Sequence, residues 1–442
     1  MCFLINENLK KILIISYYWP PGGGAGVQRI LKFVKYLPSN GFKPYVVTVD
    51  AEKASYPVID NSLNAEVPAE AEIYRTDTFE PFGLYSKVVG KKSIPTGFSN
   101  ESEPGLLQKM SRFIRGNFFI PDARRGWINF AFNEACRLIE KEKIDTVITT
   151  SPPHSAQLAG LKLKKKYGIN WIADLRDPWT DIYYYKEFKH LPFAERLDKK
   201  YERLVLENAD RIITVSSDLK RMFRKKSEKI DENKIIIIPN GYDEEDFNNL
   251  KKSDDAQSEF IISYTGTLAE SYNPIIFFDA LKKVIIENPE INIKLRFIGS
   301  PADSLMNIIR EMSMSNNLEV IPTVSHEKSV EYLNESTILL LVIPDVKNDR
   351  GILTGKLFEY LASGKTILCI GPEDGEAASV IKECSSGKTF GRNNENGLFE
   401  YMKGLIMTWK ENGNLNIQSD IYKKYSRRSQ TAELSRVINE IR

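Results

Sequence analysis

The feature that most constrains the fold is a regular alternation of short apolar segments with longer amphipathic segments rich in Lys and Glu. This alternation is typical of βα units that build a parallel sheet covered by helices on both faces. It occurs in two consecutive series. The first has predicted strands at residues 11–16, 45–49, 146–150, 171–174, 211–215 and 234–239. The second has predicted strands at residues 260–265, 293–298, 318–321, 338–343 and 366–370.

A polar segment at residues 248–259, with a pair of lysines and a pair of aspartates, separates the two series and is typical of a linker. The chain has 442 residues, which is too long for one ordinary hydrophobic core. We therefore predict an α/β protein with two doubly wound domains, at residues 1–245 and 256–415. For residues 416–442 we predict a basic helix that packs back across the domain interface.

Charge is distributed unevenly along the chain. The formal net charge is +2, but residues 1–240 carry 38 Lys and Arg against 29 Asp and Glu, whereas residues 241–400 carry 15 against 26. This balance argues against a histone-like nucleic-acid binder and indicates a local anionic partner for the first half of the chain.

The cysteines and the apolar segments indicate in which cellular compartment the protein is expected. The four cysteines are far apart and lack metal-ligand spacing, so we expect neither a disulfide framework nor a zinc site, and a reducing cytosol is favoured. No apolar run approaches the roughly 18 residues that cross a bilayer, so we expect any contact with a membrane to be made from its surface.

A glycine-rich turn follows the first predicted strand. Residues 22–26 read Gly-Gly-Gly-Ala-Gly before a predicted helix, so backbone N–H groups at Gly23 and Gly24 are able to approach a phosphate or a sugar closely. The dinucleotide-binding fingerprint would need glycine at Val27 or Arg29, which disfavours a nicotinamide enzyme. The alternative is a turn that uses glycine only for tightness.

Polar residues follow two further strands of the first domain. His154 comes after the strand at 146–150, and Asp174, Arg176 and Asp177 come at the end of the next. At the carboxyl ends of parallel strands these side chains are placed to bind ligand hydroxyls or a developing charge. The alternative for the second group is an internal Arg–Asp ion pair that closes a loop.

Basic and large apolar residues interleave at residues 109–127, which include Arg124 and Arg125. This pattern predicts a surface that docks on anionic lipid headgroups or guides a charged acceptor. A solvated helix whose apolar side packs on the sheet explains the pattern equally well.

The second domain carries a basic segment after its strand at 338–343. A helix that starts near Thr354 would point its first N–H groups at an anion, with Arg350 and Lys356 as positive clamps and Glu359 as an acceptor for two ribose hydroxyls. The glycine spacing does not fit a nucleotide-hydrolysing P-loop. A simple Lys–Glu pair on one helix face is the alternative.

Taken together, the motifs resemble glycosyltransferase family 4, which has the GT-B fold of two Rossmann-like domains facing across a cleft. The resemblance implies sugar transfer with retention at the anomeric carbon, a donor site in the second domain, an acceptor site in the first, and a last helix that returns to the first domain. The residues that carry it are Gly22–Gly26, Thr214-Val215-Ser216, Ile238-Pro239-Asn240-Gly241, Tyr264-Thr265-Gly266-Thr267 and residues 355–364.

This sequence departs from the family pattern at two places. Glu359 matches the second acid of the family's E-x7-E motif, but Gly351 stands where the first acid belongs. The basic pair that often follows the first strand of the second domain is also missing after Gly266. The resemblance therefore implies that Arg350 and Lys356 carry most of the charge that neutralises the donor diphosphate.

The expected function is transfer of a hexose or N-acetylhexosamine from a nucleoside-diphosphate sugar to a glycan or lipid-linked acceptor in surface polysaccharide or glycolipid biosynthesis. A nucleotide-sugar epimerase of the same fold and an inactive sugar- or glycolipid-binding partner are the alternatives. No Asp-x-Asp motif is present, so we expect neither a metal nor another cofactor. We expect a cytoplasmic protein with an anionic membrane surface as a further partner, and no nucleic acid.

The predicted site residues fall into three groups. The predicted catalytic residues are Lys356, Arg350, His154, Asp174 and Asp177. The predicted donor-binding residues are Gly23, Gly24, Gly266, Thr267, Thr354, Gly355, Lys356, Leu357 and Glu359. The predicted acceptor-binding residues are Arg176, Arg124 and Arg125.

Overall fold

The computed structural model describes residues 9–80, 106–248, 259–415, 417 and 419–441. The chain divides into two compact units. The first unit runs to Pro239 and includes the C-terminal residues from Arg427, and the second unit is Asn240–Ser426. The predicted linker at 248–259 lies almost wholly outside the described residues.

The first unit is built on a parallel sheet whose strand order is β3-β2-β1-β4-β5-β6-β7. Its central strands are apolar on both sides because helices cover both faces. The strands are β1 Lys10–Ile15, β2 Phe42–Val49, β3 Glu72–Thr76, β4 Thr146–Ser151, β5 Asn170–Leu175, β6 Arg211–Thr214 and β7 Ile235–Ile237. The helices are α1 Ala25–Tyr36, α2 Leu106–Phe118, α3 Ile128–Glu142, α4 Ser155–Tyr167, α5 Pro192–Asn208 and α6 Ser217–Arg224.

The second unit has a second parallel sheet, in the order β10-β9-β8-β11-β12-β13. Its strands are β8 Phe260–Thr265, β9 Ile293–Ile298, β10 Leu318–Ile321, β11 Ile338–Val342, β12 Thr366–Ile370 and β13 Gly387–Phe390. Its helices are α7 Ile275–Glu287, α8 Asp303–Glu311, α9 His326–Glu335, α10 Gly355–Ala362, α11 Glu376–Glu383 and α12 Glu395–Asn412. The predicted α/β class with two doubly wound sheets is confirmed.

The last helix, α13, runs from Arg427 to Glu440 and belongs to the first unit. Its Leu434, Val437 and Ile438 are buried in one apolar cluster with Val27 and Ile30 of α1. The preceding 3-10 helix, Ile421–Tyr425, belongs to the second unit. The sequence predicted one helical segment from 416, whereas the chain passes from one unit to the other at Arg427.

Each sheet has one point at which the strand order reverses, between β1 and β4 in the first unit and between β8 and β11 in the second. In doubly wound sheets, ligands bind outside the carboxyl ends of the strands at such a point. Most predicted site residues follow these four strands. They are Gly23 and Gly24 after β1, His154 after β4, Gly266 and Thr267 after β8, and those within residues 350–359 after β11. Within the described residues, no helix is both long and apolar enough to span a membrane.

Candidate active site

The N-terminus of α10 brings a lysine against the end of β8. Lys356 Nζ donates a hydrogen bond of 2.6 Å to the hydroxyl oxygen of Tyr264 and lies 4.0 Å from the centre of that ring. The Tyr264 hydroxyl in turn donates to the Thr267 carbonyl at 2.8 Å. This chain of contacts fixes the lysine beside the turn that follows β8.

Gly266 leaves the space that Lys356 occupies. Its φ is +86°, which an L side chain rarely adopts, and a Cβ there would stand 3.2 Å from Lys356 Cε. The hydroxyl of Tyr360 on α10 fixes the same turn, because it accepts from the Thr265 N–H at 3.0 Å. Glycine is therefore needed at 266 for both the backbone and the lysine.

The Lys356 ammonium is held in surroundings that disfavour its charge. Burial lowers the pKa of Lys356 to about 7, and the Glu359 carboxylate opposes part of this shift. Burial also raises the pKa of Tyr264, which keeps its hydroxyl protonated. A lysine with such a pKa beside a helix N-terminus is typical of a functional site, because a bound anion would restore its charge.

Thr354 and Gly355 start α10 and leave its N-terminus open. Within the described residues, the buried Oγ1 of Thr354 has no hydrogen-bond partner, and a Cβ on Gly355 would meet no atom within 4 Å. The first N–H groups of a helix attract anions. The Leu357 side chain is buried in the core, and its N–H donates to the Thr354 carbonyl at 3.3 Å.

Arg350 differs from Lys356 in that it lies at the surface. Its side chain is 68 % exposed and pairs with Asp374 at 3.3 Å. A more buried guanidinium, which sequence reasoning missed, belongs to Arg392 just after β13. It contacts Asp349 at 3.0 Å and donates to the Ile343 carbonyl at 2.8 Å, so it fastens the loop that follows β11.

In the first unit, one N–H group of the glycine turn already has a hydrogen-bond partner within the protein. The Gly23 N–H donates to the Val58 carbonyl at 2.9 Å. Gly24 begins α1 with φ +86°, and a Cβ there would meet no described atom within 4 Å. Gly24 is therefore the open position of this turn.

Asp174 forms a buried ion pair with Arg29. It contacts Arg29 Nη2 at 3.0 Å and accepts from Thr150 Oγ1 at 2.7 Å. Arg29 also donates to the carbonyls of Ile238 and Pro239, both at 2.8 Å. We expected Asp174 to bind a hydroxyl or to pair within its own loop, but its partner comes from α1. Its contacts are those of a residue that holds β5, α1 and the loop after β7 together.

Arg176 is also engaged with the protein. It donates to the carbonyls of Ser151 at 3.0 Å, Pro152 at 3.1 Å and Gly26 at 3.3 Å. These bonds join the loop after β5 to the end of β4, to the residue that follows β4 and to the first turn of α1. A guanidinium satisfied in this way is suited to positioning loops rather than to binding an acceptor directly.

His154 lies at the start of α4, and its ring stacks on Trp179 with centroids 4.4 Å apart and planes 8° apart. Burial and the nearby Arg176 lower the pKa of His154 to about 3, so the imidazole is neutral. Its buried Nδ1 has no hydrogen-bond partner among the described residues. Asp177 lies in the loop between Arg176 and Trp179, and burial raises its pKa.

The two predicted acceptor arginines after α2 differ. Arg124 is buried, donates to the Ser55 carbonyl at 2.7 Å and pairs with Glu80 at 3.3 Å. Arg125 is exposed and donates to the Phe118 carbonyl at 2.8 Å. Only Arg125 therefore presents its charge at the surface.

The chain is similar to a known family in one segment of its sequence and to known structures in its fold. The model of glycosyltransferase family 4 matches residues 96–246. No curated protein matches the chain. A glycosyltransferase structure from Rickettsia africae aligns at 15 % identity over 98 % of this chain and 99 % of that one, with a TM-score of 0.59.

Two further structures cover the whole length. Sucrose-phosphate synthase from Thermosynechococcus elongatus aligns at 13 % identity over 98 % of this chain and 99 % of that one, with a TM-score of 0.59. HepE from Anabaena, solved with UDP and glucose, aligns at 12 % identity over 97 % and 99 %, with a TM-score of 0.58. The sequence thus resembles glycosyltransferase family 4 over residues 96–246, and the whole chain has the predicted GT-B fold.

Proposed function

We propose that this protein is a retaining glycosyltransferase that moves a hexose or N-acetylhexosamine from a nucleoside-diphosphate sugar to a glycan or lipid-linked acceptor. The transferase class is supported by the family match and the fold. The observation that carries the proposal is the Lys356 ammonium, held beside Tyr264 at the open N-terminus of α10. These are the groups that a departing diphosphate needs.

The donor diphosphate binds the second unit in this proposal. Its negative charge raises the pKa of Lys356, and the helix N-terminus and the Thr354 hydroxyl supply hydrogen bonds. As the bond from the anomeric carbon to the phosphate oxygen breaks, its electron pair stays on the phosphate. The acceptor oxygen forms its bond to carbon on the same face and gives its proton to a phosphate oxygen. UDP and glucose in the HepE structure support a donor of this class.

The acceptor binds the first unit, at the loops that follow β4 and β5. The neutral His154 imidazole is suited to hydrogen bonding with a sugar hydroxyl, and Asp177 adds a carboxyl group whose pKa is raised by burial. Asp174 and Arg176 position these loops. Stabilisation of the leaving group by cations and amides, without a metal, remains part of the proposal.

A lipid-linked acceptor would be met at an anionic membrane surface, and α2 supports this part of the proposal. Met110, Ile114 and Phe118 repeat every four residues on one helix face and are 55 %, 39 % and 58 % exposed. Lys109 is exposed near the start of α2, and the exposed Arg125 donates to the Phe118 carbonyl at its end. An apolar stripe flanked by basic residues is typical of a helix that lies in the lipid headgroup region.

The experiment starts with a panel of nucleotide sugars screened by thermal shift. Nucleoside-diphosphate release is then measured for each stabilising donor, with and without lipid-linked acceptors, and NMR gives the anomeric configuration of the product. We expect release that depends on acceptor and a product that retains the donor configuration. Conversion of the donor without acceptor would instead show an epimerase, and stabilisation without any release would show a binding protein.

A further inference from the structure

A buried carboxylate on α5, which is not among the predicted site residues, contacts the loop that carries Asp177 and Trp179. Asp198 lies on α5, and its Oδ1 accepts a hydrogen bond of 2.8 Å from the Trp179 indole N–H. Its Oδ2 accepts from the Tyr185 hydroxyl at 3.0 Å. Asp198 and Trp179 are 3 % and 2 % exposed, so these bonds are shielded from water.

Trp179 joins this carboxylate to the imidazole of His154. One edge of the indole is tied to Asp198, while its face stacks on His154 at 4.4 Å. The His154 Nδ1 has no hydrogen-bond partner within the described parts of the chain, so a hydrogen bond there does not orient the ring. Stacking on the tethered indole is the described contact that aligns the plane of the imidazole.

A second carboxylate on α5 holds the same loop at another point. Glu202, one helical turn after Asp198, accepts from Thr180 Oγ1 at 2.5 Å and pairs with Lys226 at 3.0 Å. The Thr180 N–H also donates to Glu202 Oε1 at 3.5 Å, so the loop has a second anchor at Thr180. The hydrogen bond between Asp198 and Trp179 therefore sets the position of the Trp179 ring rather than that of the whole loop.

We propose that Asp198 is a positioning residue, which holds the Trp179 indole so that His154 presents its imidazole to the acceptor. The inference rests on the proposed glycosyl transfer, in which His154 meets the acceptor. Side chains of a binding site keep a productive geometry when hydrogen bonds behind them fix their rotamers.

NMR of the histidine side chains tests this positioning without relying on turnover. The chain contains three histidines, so His→Gln variants assign each imidazole signal. In the parent protein, the Trp179 ring current shifts the His154 signals upfield. In Asp198→Ala, we expect His154 to lose this shift. In Asp198→Asn, we expect the shift to be kept, because the amide oxygen still accepts from the indole.

Tyr185→Phe is the matched control. It removes the other hydrogen bond to Asp198 but leaves the indole bond, and Tyr185 stacks on His190 at 4.2 Å. We expect this variant to move the His190 signals and to leave those of His154 in place. A general loosening of the loop would instead move both histidines in every variant.

Steady-state kinetics supplies the second readout. In Asp198→Ala we expect kcat to fall by about tenfold at unchanged donor KM, with Asp198→Asn close to the parent, because only the geometry of His154 changes. An unchanged His154 shift in Asp198→Ala, or an unchanged kcat once the shift is lost, would overturn the inference. If Asp198→Ala does not fold, Trp179→Phe removes the same hydrogen bond while keeping a ring, and an unchanged kcat there overturns it as well.

The two proposals fail in different ways. A parent protein that shows no transfer with any donor would overturn the proposed function, whatever the NMR spectra show. A parent that transfers sugar but whose His154 signals are insensitive to Asp198 would overturn only the positioning role.

Discussion

Asp174 and Arg176 in the first unit differ from Lys356 and Thr354 in the second in how far the protein itself satisfies their polar groups. In the first unit, Asp174 pairs with Arg29, and Arg176 is satisfied by three carbonyl groups. In the second unit, Lys356 is held where burial lowers its pKa to about 7, and the buried Thr354 hydroxyl lacks a hydrogen bond within the described residues. The polar groups of the first arrangement satisfy one another, whereas we expect a bound anion to satisfy those of the second.

This difference indicates separate roles for charge. A buried and fully paired ion pair fixes the relative position of chain segments, and it is costly to break. A buried cation with few partners destabilises its surroundings until a ligand arrives. The first unit therefore has loops that are already held in place, whereas in the proposed function the second unit has a cation that would bind a diphosphate.

The largest expected effect comes from breaking the ion pair of the first unit. Asp174→Ala leaves Arg29 buried without its carboxylate, so we expect the free energy of unfolding to fall by about 3–5 kcal/mol. Chemical denaturation followed by tryptophan fluorescence measures this change. Asp374→Ala is the control, because it breaks the exposed pair with Arg350 and should cost no more than about 1 kcal/mol. Equal losses in the two variants would refute the contrast.

The second largest effect is expected in the pH dependence of nucleoside-diphosphate binding. Above pH 7 a growing fraction of Lys356 is neutral, so binding of a nucleoside diphosphate requires proton uptake. We expect Kd to rise by up to about tenfold per pH unit between pH 7 and 9. Calorimetry in buffers of different ionisation enthalpy detects the proton. Lys356→Met should bind weakly and without this pH dependence, and an identical pH profile in both proteins would contradict the assignment.

A smaller effect is expected at Gly266. Gly266→Ala places a methyl group 3.2 Å from Lys356 Cε at a φ of +86°, so we expect a loss of about 1–2 kcal/mol in stability together with weaker diphosphate binding. Gly168→Ala is a matched control in the first unit. Its φ is +66° and its Cβ would meet no described atom within 4 Å, so it should lose stability but keep its affinity.

The smallest effect is expected at Thr354. Thr354→Val removes the hydroxyl that has no partner in the described structure, so stability should not fall, whereas diphosphate affinity should drop by about 1 kcal/mol. Thermal denaturation and calorimetry measure the two quantities. Ser325→Ala should lower stability and leave diphosphate affinity unchanged, because the Ser325 side chain accepts from the Lys328 N–H and caps α9. A loss of stability in Thr354→Val would mean that the hydroxyl serves the fold.

The sequence predicted the two sheets because their central strands are continuous apolar runs between turn signals. It missed β3 and β13, which lie at the edges of their sheets and carry polar residues such as Glu72, Arg75 and Lys388. An edge strand is covered on fewer sides, so its apolar pattern is weaker.

The candidate site was predictable only in part. Residues at the ends of strands were found because parallel strands place them at one edge of the sheet. The partners of these residues were not found, since Asp174 pairs with a residue 145 positions away and Lys356 contacts Tyr264, 92 positions away. The stacking of His154 on Trp179 likewise depends on how two loops fold, which no local pattern encodes.

The most direct test of the account is the turnover of Lys356→Ala with the donor and acceptor that the panel identifies. Removal of one preorganised cation at a leaving group costs about 10²–10³ in rate, and we predict a loss of that size in nucleoside-diphosphate release. Lys382→Ala, which removes an exposed lysine from α11, should turn over like the parent. Turnover of Lys356→Ala within a few-fold of the parent would contradict the account.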